Sequence, residues 1–271
     1  MDHTVKENYK KYIPTYNIVF SNKKKSGEYC LIIPVINEGE RIHALLERIV
    51  ELGIHKKVDI IIVDGGTTDG SLDECYLKSQ HVHTLLLKTA KGKLSAQLLC
   101  AYDYAQKLGY KGIVTIDGNN KDDPMPIPDF IKKIEEGFDF VQASRFIRGG
   151  GTAVNTPVSR DLAIRYIHAP VLSIASGFHW TDTTQGFRAY SAKFLFNSRV
   201  AIFREIFSCY ELLAYLSYIG PKLGFKCIEL PGKRSYPKGN VPTKISTFKG
   251  NIELLKVLFK TAFGQYNLER K

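Results

Sequence analysis

The stretch VDIIIVDGGTTDGS, residues 58–71, constrains this chain more than any other. A continuous aliphatic run has no polar face, so as a strand it must be covered on both sides. It stops abruptly at Asp64, Gly65 and Gly66, where the backbone is free to bend close to a ligand. The same pattern recurs. YCLIIPVI (29–36), HVHTLLL (81–87) and GIVTID (112–117) read as three more buried strands. Between them, Ile42, Leu45, Leu46, Ile49 and Val50 repeat at helical spacing, with Gly53 as a stop. A short helix is expected from Ser71, and Leu94, Leu98, Ala101, Ala105 and Leu108 mark another over 92–108. This alternation predicts an α/β fold with a mostly parallel sheet flanked by helices and joined by right-handed crossovers. Ligands bind such sheets beyond the carboxyl ends of the strands. Asp64 and Asp117 end two strands read here as neighbours, so their carboxylates are expected to border one cleft.

Past residue 125 the pattern loosens. A helix is expected over about 128–137, a strand at DFVQAS, a glycine-rich connection at RFIRGGGTAVNTP and a helix over about 159–176. Residues 202–219 read as helix and LGFKCIEL as strand. PGKRSYPKGNVPTK reads as a basic loop before a last helix over 250–263. No internal repeat or linker divides the 271 residues, which argues for one domain.

The net charge of +11 calls for an anionic partner: nucleic acid, a phosphorylated molecule or a membrane surface. The basic residues are spread out and form no recognition module, which argues against nucleic acid. The five cysteines form no CxxC pair, as expected of reduced thiols in the cytoplasm. No apolar run is long enough to span a bilayer, and MDHTVKENYKKY lacks the apolar core of a signal peptide. There is no GxxxxGK[ST] loop, and the HVH pair at 81–83 is weak support for zinc.

Five motifs, IPVINEGE, VDGGTTDGS, TIDGNN, SRFIRGGG and DTTQGFRAY, stand in the order found in family 2 glycosyltransferases. The chain resembles that family from about residue 29 to 250, and within it the polyprenyl-phosphate sugar transferases of the dolichyl-phosphate mannose synthase kind. The resemblance implies the nucleotide-diphospho-sugar transferase fold of GT-A type. It implies an N-terminal arm (1–27), a nucleotide-binding half (28–125), an acceptor-side half (126–249) and a C-terminal amphipathic helix (250–271). The implied reaction is inverting transfer from a nucleotide-sugar donor to a glycan or polyprenyl-phosphate acceptor, in surface polysaccharide or lipid-linked glycan synthesis.

The resemblance also implies roles for residues. Asp64 and Gly65 are expected at the base or ribose, with Pro34, Asn37 and Glu38 beside them. The alternative for this stretch is a turn plus helix cap, with Thr68 or Asp69 as the cap. Asp117 and Gly118 are expected at the donor diphosphate. Family members carry two acids here that hold Mg²⁺ or Mn²⁺; Asp117 matches the first, while Asn119 replaces the second with a neutral carbonyl oxygen. Lys121 stands where a further ligand is expected, so Lys121, Arg145 and Arg148 are alternative sources of positive charge. Asp122 and Asp123 could compensate or lie in a solvated loop. Gly92 and Lys93 begin a helix whose dipole suits an anion. Arg145 and Arg148 are expected at phosphate. Asp182, with Gln185 and Arg188 nearby, is expected on the acceptor side. It acts as general base for a sugar hydroxyl, or as a positioning group where the acceptor is already a phosphate anion.

Two alternatives stay open: a sugar-phosphate nucleotidyltransferase, whose N-terminal glycine-rich signature INEGERIH does not match, and a non-catalytic nucleotide-binding protein. In the last helix, Ile252, Leu255, Phe259 and Ala262 share one side, with Leu254, Val257, Leu258 and Phe263 widening it. With Lys233, Arg234, Lys238, Lys244 and Lys249 upstream, it suits peripheral contact at the inner face of a membrane. Packing on the core, or across a homodimer, is the competing expectation.

Overall fold

A computed structural model describes residues 9–148, 151–236 and 248–268. The chain runs β1 (Tyr16–Ser21), β2 (Tyr29–Val35), α1 (Glu40–Glu51), β3 (Asp59–Asp64), α2 (Glu74–Ser79), β4 (Val82–Lys88), α3 (Leu94–Leu108) and β5 (Gly112–Thr115). It continues with α4 (Ile127–Glu135), β6 (Phe140–Ser144), β7 (Thr152–Val154), α5 (Val158–Ala163), α6 (Ala169–Ser176), β8 (Arg188–Ser191) and α7 (Ala192–Leu195). It closes with α8 (Glu211–Lys222), β9 (Cys227–Pro231), β10 (Lys233–Ser235) and α9 (Phe248–Ala262).

The main sheet has the order β1-β4-β3-β2-β5-β8-β6-β9. Strands β4, β3, β2 and β5 are mutually parallel, as the alternation of runs requires. β1 adds an antiparallel edge beside β4, so part of the N-terminal arm is an edge element. β8 is antiparallel to both β5 and β6. Because β2 lies between β3 and β5, Asp64 and Asp117 do not end adjacent strands, contrary to the sequence reading.

The aliphatic runs divide between two cores because side chains alternate across a strand. Ile60 and Ile62 join Ile42, Leu45, Leu46 and Ile49 of α1 on one face. Ile61 and Val63 join Leu98, Leu99 and Tyr102 of α3 on the other. Every residue of β3 is buried, and each isoleucine so placed contributes about 1.5–3 kcal/mol.

Three further expectations need correction. Asp73, rather than Thr68 or Asp69, caps α2, accepting from the Tyr76 N–H at 2.8 Å. The expected helix 202–219 begins only at Glu211, and the residues before it take an irregular path through aromatic packing. The helix over 159–176 is interrupted by a π turn at Ile164–His168, next to Pro170, which has no N–H to give to the preceding turn. β8 and the small parallel pair β7–β10 lie where the sequence predicts no strand.

α9 lies against α6 and α8. Leu258 and Thr261 are buried in that contact, while Ile252, Phe259 and nearby Phe263 are exposed. Among the described residues no helix is long and apolar enough to cross a membrane.

Candidate active site

The carboxyl ends of β2, β3 and β5 open into a cavity of about 1020 Å³. Part of its floor is a set of stitched turns. Asp64 does not line the cavity. Its Oδ1 accepts from the N–H groups of Gly66 (2.9 Å) and Thr67 (2.7 Å) and from Thr67 Oγ1 (2.6 Å). The acid at the end of the greasy strand therefore shapes its own turn, and Gly65 is the part of it that reaches the cavity. Asn37, at φ 50°, accepts from the Thr68 N–H through Oδ1 at 2.8 Å. Asp69 accepts from the Gly39 N–H at 2.9 Å. Glu38 lines the cavity beside Pro34 and Asn37, its Oε2 accepting from Arg41 Nε at 3.0 Å. Sequence reasoning missed Gln97, a buried α3 amide that donates to the carbonyls of Val35 (2.8 Å) and Val63 (2.5 Å) and ties two strand ends together.

Gly118 fits because a Cβ there would stand 2.9 Å from Val35 Cγ2 and 3.1 Å from the Pro34 carbonyl. Gly92, at φ 111°, has no room for a Cβ against the Ser208 carbonyl. The start of α3 is not an open anion site. The Lys93 N–H donates to Ser208 O (2.7 Å) and the Ser95 N–H to Cys209 O (2.8 Å). The Lys93 ammonium still lines the cavity, 3.8 Å from Glu253 Oε2.

Across the cavity, Arg145 and Asp182 form a buried pair. Arg145 Nε donates to Oδ2 at 2.7 Å and Nη2 to Oδ1 at 3.1 Å. Burial alone would raise the Asp182 carboxyl, but Arg145 and the Thr184 hydrogen bonds hold it below its ordinary value. It has no exposed surface and does not line the cavity. A carboxylate so engaged is a weak base, which favours the positioning role over proton abstraction. Beneath it, Glu229 accepts from the N–H groups of Thr181 and Asp182, both at 2.9 Å, and from Thr181 Oγ1 at 2.7 Å. Gln185 Nε2 donates to Asp122 Oδ1 at 2.7 Å. Arg188 is fully buried and donates to the carbonyls of Thr183, Gln185 and Leu213, fixing this loop from behind. Arg148 is exposed and does not line the cavity.

The largest omission from the sequence reading is Arg234. The sequence reads it as one cation of a basic loop before the last helix, yet it is buried in β10, with Nη1 2.5 Å from Asp122 Oδ2 and Nη2 3.2 Å from Asp117 Oδ2. Burial works against its charge, but Asp122 and Asp117 hold the guanidinium above its ordinary range. Arg234, Lys121, Arg145 and Arg160 all line the cavity around Tyr236. The Tyr236 hydroxyl lies 3.5 Å from both Arg145 Nη1 and Arg160 Nη1. Burial would raise that hydroxyl, but Arg234, Arg145 and Arg160 bring it below its ordinary value. The same cavity is also lined by the aliphatic side chains of Ile164, Ile167, Leu172, Leu213, Leu254 and Leu258, with His168 and Asn251 among them. Lys238 and Lys244 of the basic loop, Gly149 and Gly150, and the side chain of Lys249 lie outside the described residues.

The oxygen donors expected to hold Mg²⁺ or Mn²⁺ are already engaged. Asp117 Oδ2 accepts from Arg234, and its Oδ1 lies beside Gly186, where a Cβ would stand only 2.4 Å away. Asn119 Oδ1 accepts from the Lys121 N–H at 3.1 Å. Asp122 is enclosed by Arg234 and Gln185. Among the described residues no three His, Cys, Asp or Glu side chains are grouped to hold a metal. A hard cation needs several free oxygen ligands, and this donor set does not fit one as it is arranged.

Comparison with known proteins gives this geometry a context. The family described as Glycosyl transferase family 2 matches residues 30–210. Polyprenol monophosphomannose synthase of Mycolicibacterium smegmatis is 26% identical over 205 residues, covering 74% of this chain and 75% of the relative. Undecaprenyl-phosphate mannosyltransferase of Micrococcus luteus is 29% identical over 164 residues, covering 59% and 65%. Mannosyl-3-phosphoglycerate synthase of Rubrobacter xylanophilus superposes with a TM-score of 0.59 at 14% identity, over 89% of this chain and 76% of the other. Glucosyl-3-phosphoglycerate synthase of Mycobacterium tuberculosis, crystallised with Mn²⁺, UDP and phosphoglyceric acid, gives 0.54 at 17%, over 86% and 75%. At such identities the structural likeness establishes the GT-A fold alone.

Proposed function

Because the chain belongs to glycosyl transferase family 2, we propose that it moves a sugar from a nucleotide-sugar donor to a polyprenyl phosphate in lipid-linked glycan synthesis. The observation that carries this reading is the mixed lining of one cavity, which combines the strand-end turns, a group of cations and the aliphatic side chains of α6, α8, α9 and the π turn. A sugar acceptor would leave the aliphatic lining without a use, whereas an isoprenoid tail fits it, with its phosphate at Arg145 and Arg160. The names of the Mycolicibacterium and Micrococcus relatives support the same acceptor class.

The reaction is a single displacement. An acceptor phosphate oxygen bonds to the anomeric carbon from the face opposite the nucleotide. The bond from that carbon to the diphosphate oxygen breaks, and the nucleoside diphosphate leaves with the electron pair. The configuration inverts and no enzyme nucleophile is needed. A phosphate acceptor is already an anion, so no base is needed either, consistent with Asp182 being committed to Arg145. The task left to the chain is positioning and stabilising charge on the leaving group. Arg145, held at two points by Asp182, is preorganised for the acceptor phosphate.

A second reading, transfer to a small phosphorylated acceptor, draws on the cationic region and on the phosphoglyceric acid bound by the Mycobacterium structure. Competition separates the two. With a sugar nucleotide as donor, undecaprenyl phosphate and 3-phosphoglycerate are offered together and the products partitioned between butanol and water. Product in butanol supports the lipid acceptor; product confined to water contradicts it. Exposed Ile252, Phe259 and Phe263 on and beside α9, with Leu162, Tyr166 and Ile174 on the neighbouring α5–α6 segment, suit peripheral contact with the membrane that holds such a lipid.

A further inference from the structure

Lys121 and Arg234 are far apart in sequence and side by side in space. The Ser235 N–H donates to Lys121 O at 2.8 Å, the Asp123 N–H donates to Lys233 O at 3.0 Å, and Asp122 and Arg234 pair as an antiparallel bridge. This backbone stitching fixes both cations at the cavity wall beside Asp117. The Lys121 ammonium stands over the Tyr236 ring, 5.2 Å from its centre, and the Arg234 guanidinium 5.6 Å from it.

A divalent ion on Asp117 would have to break the Arg234 pair, take Asn119 from the Lys121 N–H, and sit against two fixed positive charges. The two side chains together carry the same charge as one divalent ion. A guanidinium and an ammonium both bind phosphate oxygens, the first through its planar fork and the second as a compact charge. Resting on the reading that the donor is a nucleotide sugar, we infer that Lys121 and Arg234 neutralise its diphosphate in place of Mg²⁺ or Mn²⁺, so that nucleotide binding requires no metal. Asp117 and Asp122 then serve to hold Arg234 in position.

Calorimetric titration of the full chain with UDP and GDP, first in EDTA and then in Mn²⁺, tests this. At least one nucleotide should bind, with dissociation constants in the two buffers agreeing within about threefold. Lys121→Gln should weaken binding in EDTA about tenfold or more, while Lys121→Arg, which keeps the charge, should stay within about threefold of the parent. Thermal melts establish that each variant folds, and the comparison of buffers needs no variant. Binding seen only with Mn²⁺ would overturn the inference and leave the donor assignment standing. Lys121→Gln binding as tightly as the parent in EDTA would also overturn it. Absence of binding in both buffers would overturn the donor assignment as well.

Discussion

Arg145 and Asp182 meet at two points, 2.7 and 3.1 Å, with both side chains buried. β8 runs antiparallel to β6, which brings the loop carrying Asp182 to the end of β6 where Arg145 stands. Asp182→Asn leaves a buried guanidinium without its counter-charge, and such losses cost about 3–5 kcal/mol. The expected outcome is a fall of that order in urea-unfolding free energy, together with a raised KM for the acceptor. Unchanged stability with abolished turnover would instead mark Asp182 as the base. The pair's contribution should be fully present above the ordinary carboxylate range and be lost as pH falls through the lower native value.

Glu229 supports that pair from below and should leave a different pH signature. Burial raises its carboxyl from 4.5 to about 7, against the pull of its hydrogen bonds from Asp182 and Thr181. The native state therefore holds this proton more tightly than the unfolded chain does. The group's cost is absent below pH 4.5 and complete above about 7, on the order of 3 kcal/mol. Glu229→Gln cannot titrate. Across that window the stability difference between parent and variant should move in the variant's favour. A constant difference from pH 4 to 8 would refute the buried, proton-binding assignment.

Gly186 leaves no room for a Cβ beside Asp117 Oδ1. Gly186→Ala should push Asp117 off Arg234 and weaken nucleoside diphosphate binding about tenfold, with little effect on the fold because the residue lies at the cavity wall. Calorimetry on the folded variant checks this, and parent-like affinity would show that the Asp117–Arg234 contact is dispensable.

Much of this architecture is legible in the sequence because strands covered on both faces must be aliphatic throughout. The donor-side turns are legible for a related reason: Asp64 and Gly118 interrupt or follow such runs where the backbone must bend. Other parts carry no local signal. β7 and β10 are three residues each, pair across some eighty positions, and contain no apolar run. Arg234 consequently looks like one more solvated cation. Phe203 and Phe207 have helical spacing yet pack on an irregular segment, because aromatic stacking rather than a backbone ladder fixes them. Asp73 and Asp69 both suit a helix cap by type; Asp69 is engaged with Ser71 and Gly39, which leaves the cap to Asp73.

The exposed apolar side chains of α5, α6 and α9 predict lipid affinity. The chain should sediment with liposomes containing anionic lipid at low salt, and less so at high salt, since surface attraction is screened. Replacing Phe259 and Phe263 with serine should reduce the bound fraction without lowering the melting temperature, because both are exposed. Failure of the parent to sediment at low salt would remove membrane contact from the account and leave a homodimer as the alternative cover for this face.

Sugar transfer to a polyprenyl phosphate with inversion is tested directly by its product. Undecaprenyl phosphate is incubated with the full chain and a panel of UDP- and GDP-sugars, and the butanol-soluble product is examined by mass spectrometry and proton NMR. The expected result is one glycosyl phosphate per nucleoside diphosphate released, with an anomeric configuration opposite to that of the donor. Nucleoside diphosphate release without any lipid-linked sugar, or a product that retains the donor's configuration, would contradict it.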